Sequence, residues 1–326
     1  MNDIKQKILN LVKDDLLEIE VALEQNLNPH LDLVSQIAGH ILFSGGKRLR
    51  PLLMVLSARL CGYDGNYEKT FSTIFEYLHA ATLLHDDLVD EATLRRGKPA
   101  AHSIWGDAIA VLVGDFLLAR SLSIAAETNR PDVIKVVAEI TENMSQGEIH
   151  QLMKKGCIDL TEKEYMEIIR RKTAVLFQGT CRVGALISGV SKEKEDALAG
   201  YGFNLGIAFQ MVDDLLDYSQ DTTAIGKKVG ADLKEGKLTL PVIYSLKSAD
   251  AKDRIQMEKI IKNKAFSTED FDTLIAIMKK YGGQTYTEKV AQKYVKNAKN
   301  ALETFKHSTT KEILLTIADY TLARKV

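Results

Sequence analysis

Apolar side chains recur three and four residues apart along most of this chain, the spacing that builds one face of an α-helix. Ile74, Tyr77, Leu78, Ala81, Leu84 and Leu88 form one such stripe, and Leu16, Ile19 and Leu23 form another near the start. No stretch sustains the alternation expected of a half-buried strand. Only five prolines interrupt the pattern: Pro29, Pro51, Pro99, Pro131 and Pro241. Glycine and proline mark breaks at Gly45-Gly46, Gly62 to Gly65, Gly97 to Pro99, Asn129 to Pro131, Gly156, Gly189 and Gly226 to Gly236. The pattern predicts an all-α fold of roughly a dozen antiparallel helices. No linker or low-complexity segment divides residues 1–326, so one domain is expected.

Composition narrows the class. With 326 residues, 45% of them hydrophobic, the chain is long enough for a large core. Its formal net charge of −1 provides no global positive field for a nucleic acid. Basic residues cluster locally at Lys47-Arg48-Leu49-Arg50 and Arg95-Arg96, which suits a compact anion. Cys61, Cys157 and Cys181 are widely spaced and make no CxxC, which argues against a disulfide scaffold or zinc site and for a reducing compartment. The opening residues form a charged amphipathic stretch unlike a signal peptide. The apolar run Ala108 to Val113 meets Asp115 too soon to suggest a bilayer span. A cytoplasmic enzyme is expected.

The chemistry concentrates in two similar segments. Leu83-Leu84-His85-Asp86-Asp87-Leu88-Val89-Asp90 is echoed by Gln210-Met211-Val212-Asp213-Asp214-Leu215-Leu216-Asp217. At average composition one DDxxD arises by chance in roughly one chain in fifteen of this length, and two in roughly one in several hundred. An exposed acidic patch is the ordinary reading of one motif; the pair resists it. Asp86 and Asp90 share a helix face, as do Asp213 and Asp217, and like charges at that spacing repel. No lysine or arginine lies inside either motif. A hard divalent cation such as Mg²⁺, which takes one or two carboxylates and completes its shell with water and phosphate oxygens, is the natural partner.

Basic residues supply the other half of an anion site. Glycines free the backbone beside Lys47, Arg48 and Arg50. The P-loop spacing GxxxxGK[ST] is absent. Arg95 and Arg96 follow the first motif, Lys172-Thr173 lies mid-chain, and Lys227 and Lys237 follow the second motif among glycines. Each alone reads as surface charge; together with two metal sites they supply two anion pockets. No Ser/His/Asp or Cys/His nucleophilic set is evident.

Gly45-Gly46-Lys47-Arg48-Leu49-Arg50-Pro51, His85-Asp86-Asp87-Leu88-Val89-Asp90, Arg95-Arg96-Gly97, Gly114-Asp115, Gly147-Glu148, Lys172-Thr173, Phe209 to Asp217 and Gly236-Lys237 resemble, in order, the motif series of trans-polyprenyl diphosphate synthases. The resemblance covers about residues 40–245, with no departure at a motif position; the C-terminal third carries no assignable motif. It implies a helical bundle around a central cavity. There an allylic diphosphate is repeatedly extended by isopentenyl diphosphate through a Mg²⁺-assisted allylic carbocation. It also implies Asp86, Asp90 and Asp213 as metal ligands, with Asp87, Asp214 and Asp217 in support. Arg95, Lys172, Gln210 and Lys227 would hold the allylic diphosphate, and Lys237 would close over it. Lys47, Arg50, His79 and Arg96 would hold isopentenyl diphosphate, and Thr173 would lie near the reacting carbons. A homodimer is implied, with a heteromer left open; transient membrane contact would accompany release of a greasy product.

Product length is the most exposed expectation. The growing chain should run along the helix of Asp86 past Thr82, His79, Leu78 and Phe75. In the family, bulky aromatics four and five residues before the first aspartate stop growth early; here those positions are Thr82 and Ala81. Phe75 lies roughly 16 Å from Asp86 at about 1.5 Å per residue, and an isoprene unit spans roughly 4–5 Å. The tunnel thus clears at least about three to four units before Phe75, which disfavours a C15 product and allows C20 or more. The pattern Ala81-Thr82-Leu83-Leu84-His85 resembles that of long-chain synthases, which implies a product of about C30–C40, a quinone side-chain precursor. A C15–C20 synthase, a terpene cyclase and a partner subunit of a heteromeric synthase are the alternatives. A cyclase would leave Lys47, Arg50 and Arg96 without a task.

Overall fold

The computed structural model describes residues 2–218, 230–263 and 265–324. Among the described residues the chain is all-α, with seventeen α-helical segments. That exceeds the dozen expected, because pieces such as Ala101–Trp105 and Ala231–Lys234 are too short to display a period. The only strands among the described residues are Leu94–Arg95 and Lys98–Pro99, paired antiparallel in a small hairpin. Predicted breaks coincide with helix ends. Helix Leu49–Leu60 stops before Gly62, Pro131 opens helix Pro131–Lys154, and helix Val175–Ile187 stops before Gly189. Proline suits that opening position because its missing N–H would have had no helical partner. The Gly226 end of the last predicted break lies outside the described residues.

The apolar stripes pair as their periodicity requires. Helix Glu68–Val89 packs along Asp107–Glu127, and Lys192–Leu216 packs against both Val175–Ile187 and Gly283–Ala301. Tyr77 and Tyr201 are fully buried, and their hydroxyls donate to the carbonyls of Leu23 at 2.6 Å and Leu314 at 2.8 Å. Each ring thus buries a large area without leaving an unpaired polar atom. The core forms two apolar clusters, and Tyr294 and Leu322 pack against both.

Three features of this scaffold place the site. Helix Glu68–Val89 ends at the first aspartate motif and helix Lys192–Leu216 at the second. Between helices Glu162–Ile169 and Val175–Ile187 the chain makes a π-helical turn, Arg170–Ala174, a type of irregularity that recurs at functional sites. Finally, Gly202 lets the second motif's helix lie almost backbone to backbone on Val175–Ile187. A Cβ there would overlap the Phe177 carbonyl oxygen and sit 2.8 Å from its carbon and 3.0 Å from Cys181 Sγ.

Gly202→Ala is therefore expected to force the two helices apart. Overpacking of this kind costs about 1–3 kcal/mol. It should lower the denaturant midpoint at an unchanged m-value. An unchanged midpoint would show that the close approach is not required.

Candidate active site

Both motifs occupy the last turn of their helices, where unpaired carbonyls already concentrate partial negative charge. Burial and mutual repulsion add to this. The structure answers with cations brought from distant segments. Lys237 Nζ donates to Asp90 Oδ2 at 2.6 Å, and Lys172 Nζ lies 3.5 Å from Asp86 Oδ2. Arg95 Nε, from the small hairpin, donates to Asp87 Oδ1 at 2.8 Å. Arg324 donates to Asp213 Oδ1 at 2.7 Å and stacks its guanidinium 4.0 Å from the Phe209 ring centroid. His85 anchors the first motif sideways, with Nε2 3.2 Å from the Val111 carbonyl and 3.5 Å from Asp115.

A cavity of about 690 Å³ opens between these motifs. Its polar part carries Lys47, Arg50, His79, Asp86, Arg95, Arg96, Lys172, Thr173, Gln210 and Asp213. Its apolar part is walled by Leu78, Ala81, Leu83, Leu118, Met144 and Leu176, with Thr82 between. A smaller cavity of about 140 Å³ shares Lys172, Thr173 and Gln210 and adds Lys155, Asp214 and Lys237. Most predicted site residues therefore converge on one place. Lys227 lies outside the described residues. Asp90 sits beside the cavities between Lys155 and Lys237.

Three aspartates and one aromatic are placed differently from the rest. Asp87 turns to Arg95, and Asp214 accepts from Tyr165 at 2.6 Å and from Gln210 at 2.8 Å. Asp217 accepts from the backbone N–H groups of Ala231 and Asp232, both at 3.1 Å, and so caps the short helix after the second motif. These contacts orient the motifs. Phe75, expected at the end of the tunnel, is fully buried and is not a lining residue. Its helix packs against Asp107–Glu127, and Leu118 of that helix lines the cavity.

The π-helical turn aims two adjacent residues at the two cavities. Thr173 Oγ1 donates to Gln210 Oε1 at 2.8 Å, and Gln210 passes the link on to Asp214. Lys172 is in ion-pair contact with Glu148. Both Glu148 carboxylate oxygens, Asp87 Oδ2 and Asp90 Oδ1 are buried without a hydrogen-bond partner among the described residues. Burial pushes the Asp86 carboxyl up to about 6; Lys172 works against the rise, and Glu148 and Asp90 add to it. Lys172 stands at Glu148 and Lys155 3.6 Å from Asp90 Oδ1, so the place is marked by crowded carboxylate oxygens with room for further partners and by the raised Asp86 carboxyl. Oxygen donors of this kind suit hard divalent cations, with Asp86 and Asp90 of the first motif and Asp213 of the second as the groups that could hold them. No three carboxylate, imidazole or thiolate groups among the described residues make a metal cage by themselves. A cation here would complete its shell with water or an anionic ligand.

The opposite wall is crowded with cations. Arg48 is buried and structural: it donates to Glu20 at 2.6 Å, to Glu76 at 2.8 Å and to the Leu42 carbonyl at 2.7 Å. It thereby holds its neighbours Lys47 and Arg50 toward the cavity. Burial pulls the Arg50 guanidinium down to about 10, and its Nε has no hydrogen-bond partner among the described residues. Lys47 keeps contact with solvent, yet partial burial and then Arg324 bring it down to about 8. Burial and the arginines around it, Arg50 foremost, hold His79 well below the usual imidazole range. His79 is therefore neutral near pH 7 and offers an N–H rather than a charge. Cations pressed together this way make a preorganised anion receptor.

Several contributors escaped the sequence reading. Arg324 comes from the segment without a recognisable motif. Glu76 and Lys155 belong to no motif, and Glu148 was noticed without a role. Only their spacing in three dimensions marks them.

Residues 31–278 match the sequence profile of the polyprenyl synthetase family. An octaprenyl diphosphate synthase of Haemophilus influenzae is 36% identical over 312 residues, covering 96% of this chain and 94% of that protein. A Bacillus subtilis protein, heptaprenyl diphosphate synthase component 2, is 34% identical over 326 residues, covering 100% of this chain and 92% of its own length. The crystal structure of a Caulobacter crescentus polyprenyl synthase complexed with calcium and isoprenyl diphosphate superposes with a TM-score of 0.92 at 37% identity, covering 98% of both chains.

The electrostatics of the first motif can be tested directly. Glu148→Gln removes a like charge from Asp86 and frees Lys172 to approach it. The Asp86 pKa, followed by carboxyl-carbon NMR in metal-free protein, is expected to fall from about 6 toward the ordinary carboxylate range. No change, or a rise, would show that Glu148 does not set the charge at this site.

Proposed function

This chain belongs to the polyprenyl synthetase family, and on that premise we propose that it makes a trans-polyprenyl diphosphate of about C30–C40, a quinone side-chain precursor. It is a prenyltransferase that condenses an allylic diphosphate with isopentenyl diphosphate. The observation that carries the length reading is that the small Ala81 and Thr82, not bulky aromatics, line the cavity before the first motif, which removes an early stop, while the C30–C40 range follows the resemblance to long-chain synthases. Leu78 is roughly 12 Å along the helix from Asp86 at about 1.5 Å per residue. Leu118 and Met144 complete the apolar wall in place of Phe75. The names of the Haemophilus and Bacillus relatives, octaprenyl and heptaprenyl, agree with this range.

The residue assignments follow from the two cation groups. Arg95, Lys172 and Lys237 hold the allylic diphosphate, with Gln210 positioning Thr173 beside the reacting carbons. Lys47, Arg50, Arg96 and the neutral His79 hold isopentenyl diphosphate. Asp86, Asp90 and Asp213 would hold Mg²⁺, which would supply positive charge for the leaving group. The allylic C–O bond breaks with its electron pair going to diphosphate, and the cations stabilise that charge as it develops. The isopentenyl double bond forms the new C–C bond, and the proton then lost goes to diphosphate. Leu78, Leu83, Leu118 and Leu176 keep water from the cation.

Assembly belongs to the same proposal. Helix Asp107–Glu127 is long and apolar enough to cross a membrane, with a mean hydropathy of 1.8. Asp115 and Arg120 both lie within it, and a core helix can have the same length and composition. One face is buried through Ala110, Val113, Leu117, Ile124 and Ala125, while Ile109, Leu112 and Leu122 face solvent. Ile149, Leu152 and Met153 of helix Pro131–Lys154 are also exposed. An apolar surface of this kind is best explained by a second copy of the chain in a single-domain homodimer. The component name of the Bacillus relative keeps a heteromer in view. Free cysteines suit a cytoplasmic location, with transient membrane contact as the product leaves.

Purified chain alone, given a C15 allylic diphosphate, isopentenyl diphosphate and Mg²⁺, is expected to yield about C30–C40 product, and none in chelator. Activity only after a second protein is added would favour the heteromer, and full activity in chelator would exclude the metal role. Ala81→Phe is expected to shorten the product to about C15–C20, since the ring would fill the tunnel beside Thr82. An unchanged length would remove the tunnel assignment.

A further inference from the structure

Lys155 follows helix Pro131–Lys154 directly and belongs to no motif. Its Nζ lies 3.6 Å from Asp90 Oδ1, while Lys237 Nζ donates to the other oxygen, Oδ2, at 2.6 Å. Two ammonium groups from opposite sides thus bracket one carboxylate. The neighbouring Lys154 instead turns to Glu164 at 2.7 Å.

The backbone makes the pair a unit. The Gly156 N–H donates to the Gly236 carbonyl at 2.8 Å, which ties the turn after Lys155 to the loop before Lys237. Both glycines have left-handed φ, 80° and 78°. A Cβ on Gly236 would stand 3.3 Å from Lys155 Cγ and 3.4 Å from the Gly156 nitrogen. Lys155 and Lys237 both line the smaller cavity, together with Lys172 and Thr173.

Lys237 also donates to Glu235 Oε2 at 2.7 Å, whereas Asp90 is the carboxylate that Lys155 faces. A divalent cation on Asp90 would take over that carboxylate, turning Lys155 to an anion and leaving Lys237 shared between the anion and Glu235. We propose that Lys155 is a further binding residue for the allylic diphosphate, held in tandem with Lys237 by the Gly156–Gly236 hydrogen bond. This rests on the allylic-site reading given above for Lys172 and Lys237.

The test compares Lys155→Ala, Lys155→Arg, Lys172→Ala and Lys237→Ala in the full chain. Lys155→Ala is expected to raise KM for the allylic starter about tenfold, the scale of one charge-assisted contact, and to leave KM for isopentenyl diphosphate within about twofold. Calorimetric titration with inorganic diphosphate and Mg²⁺ should show the same loss, and Lys155→Arg should restore most of it. An unchanged allylic KM and diphosphate affinity in Lys155→Ala, with clear losses in Lys172→Ala and Lys237→Ala, overturns the inference alone. Unchanged values in all three alanine variants overturn the allylic-site reading beneath it. Equal losses for both substrates in Lys155→Ala would mark the residue as structural and overturn its assignment.

Discussion

Negative charge at the ends of two apolar helices governs the rest of the structure. Asp86, Asp90 and Asp213 meet repulsion within the motif and the partial charge of the helix terminus, and Asp86 and Asp90 also lose water on burial. Nothing within either helix can offset them. The relief comes from elsewhere in the chain: Lys172 on a π-helical turn, Arg95 on a hairpin, Lys237 after a capped short helix, and Arg324 at the C-terminal helix. The irregular parts of an otherwise regular helical fold are the parts that deliver these cations.

The compensation is incomplete, and that is what makes the place chemically useful. Burial raises the Asp86 carboxyl to about 6, and Asp90 Oδ1 is buried without a hydrogen-bond donor among the described residues, with Lys155 3.6 Å away. Across the cavity the reverse holds, since Arg50 and Lys47 are crowded cations whose charge burial disfavours. A divalent cation and diphosphate groups would relieve both sides together. The protein thus spends folding energy on an arrangement that only its ligands complete, which is the meaning of electrostatic preorganisation. Arg48, tied to Glu20 and Glu76, is the internal strut that keeps the cationic side from relaxing.

The apolar half of the cavity follows from the same helix. Asp86 lies at the polar part of the cavity, and one turn back the same helix lines it with Thr82 and Ala81. Ionisation needs concentrated charge and carbocation survival needs dryness; a single helix supplies both within two turns. The wall opposite comes from Leu118 and Met144 on neighbouring helices. Two packed helices therefore complete the apolar wall with the helix that carries the first aspartate motif.

What the sequence by itself determined was whatever helical periodicity encodes locally. The all-α class, most of the helix boundaries at glycine and proline, the shared faces of Asp86 with Asp90 and Asp213 with Asp217, and the small residues before the first motif were all legible. Spacing along one helix fixes which side chains lie together. The motif series also brought Lys47, Arg50, Lys172 and Gln210 to attention, and these do meet in one cavity. Tertiary structure decided what depends on separate elements approaching each other. It set Arg324 on Asp213 across 111 residues and Lys155 beside Lys237, buried Phe75 away from the cavity, and turned Asp214 and Asp217 toward Tyr165 and the backbone. The charge states belong to that second group too. Burial and the fields of neighbours set them, and neither exists until the helices have packed.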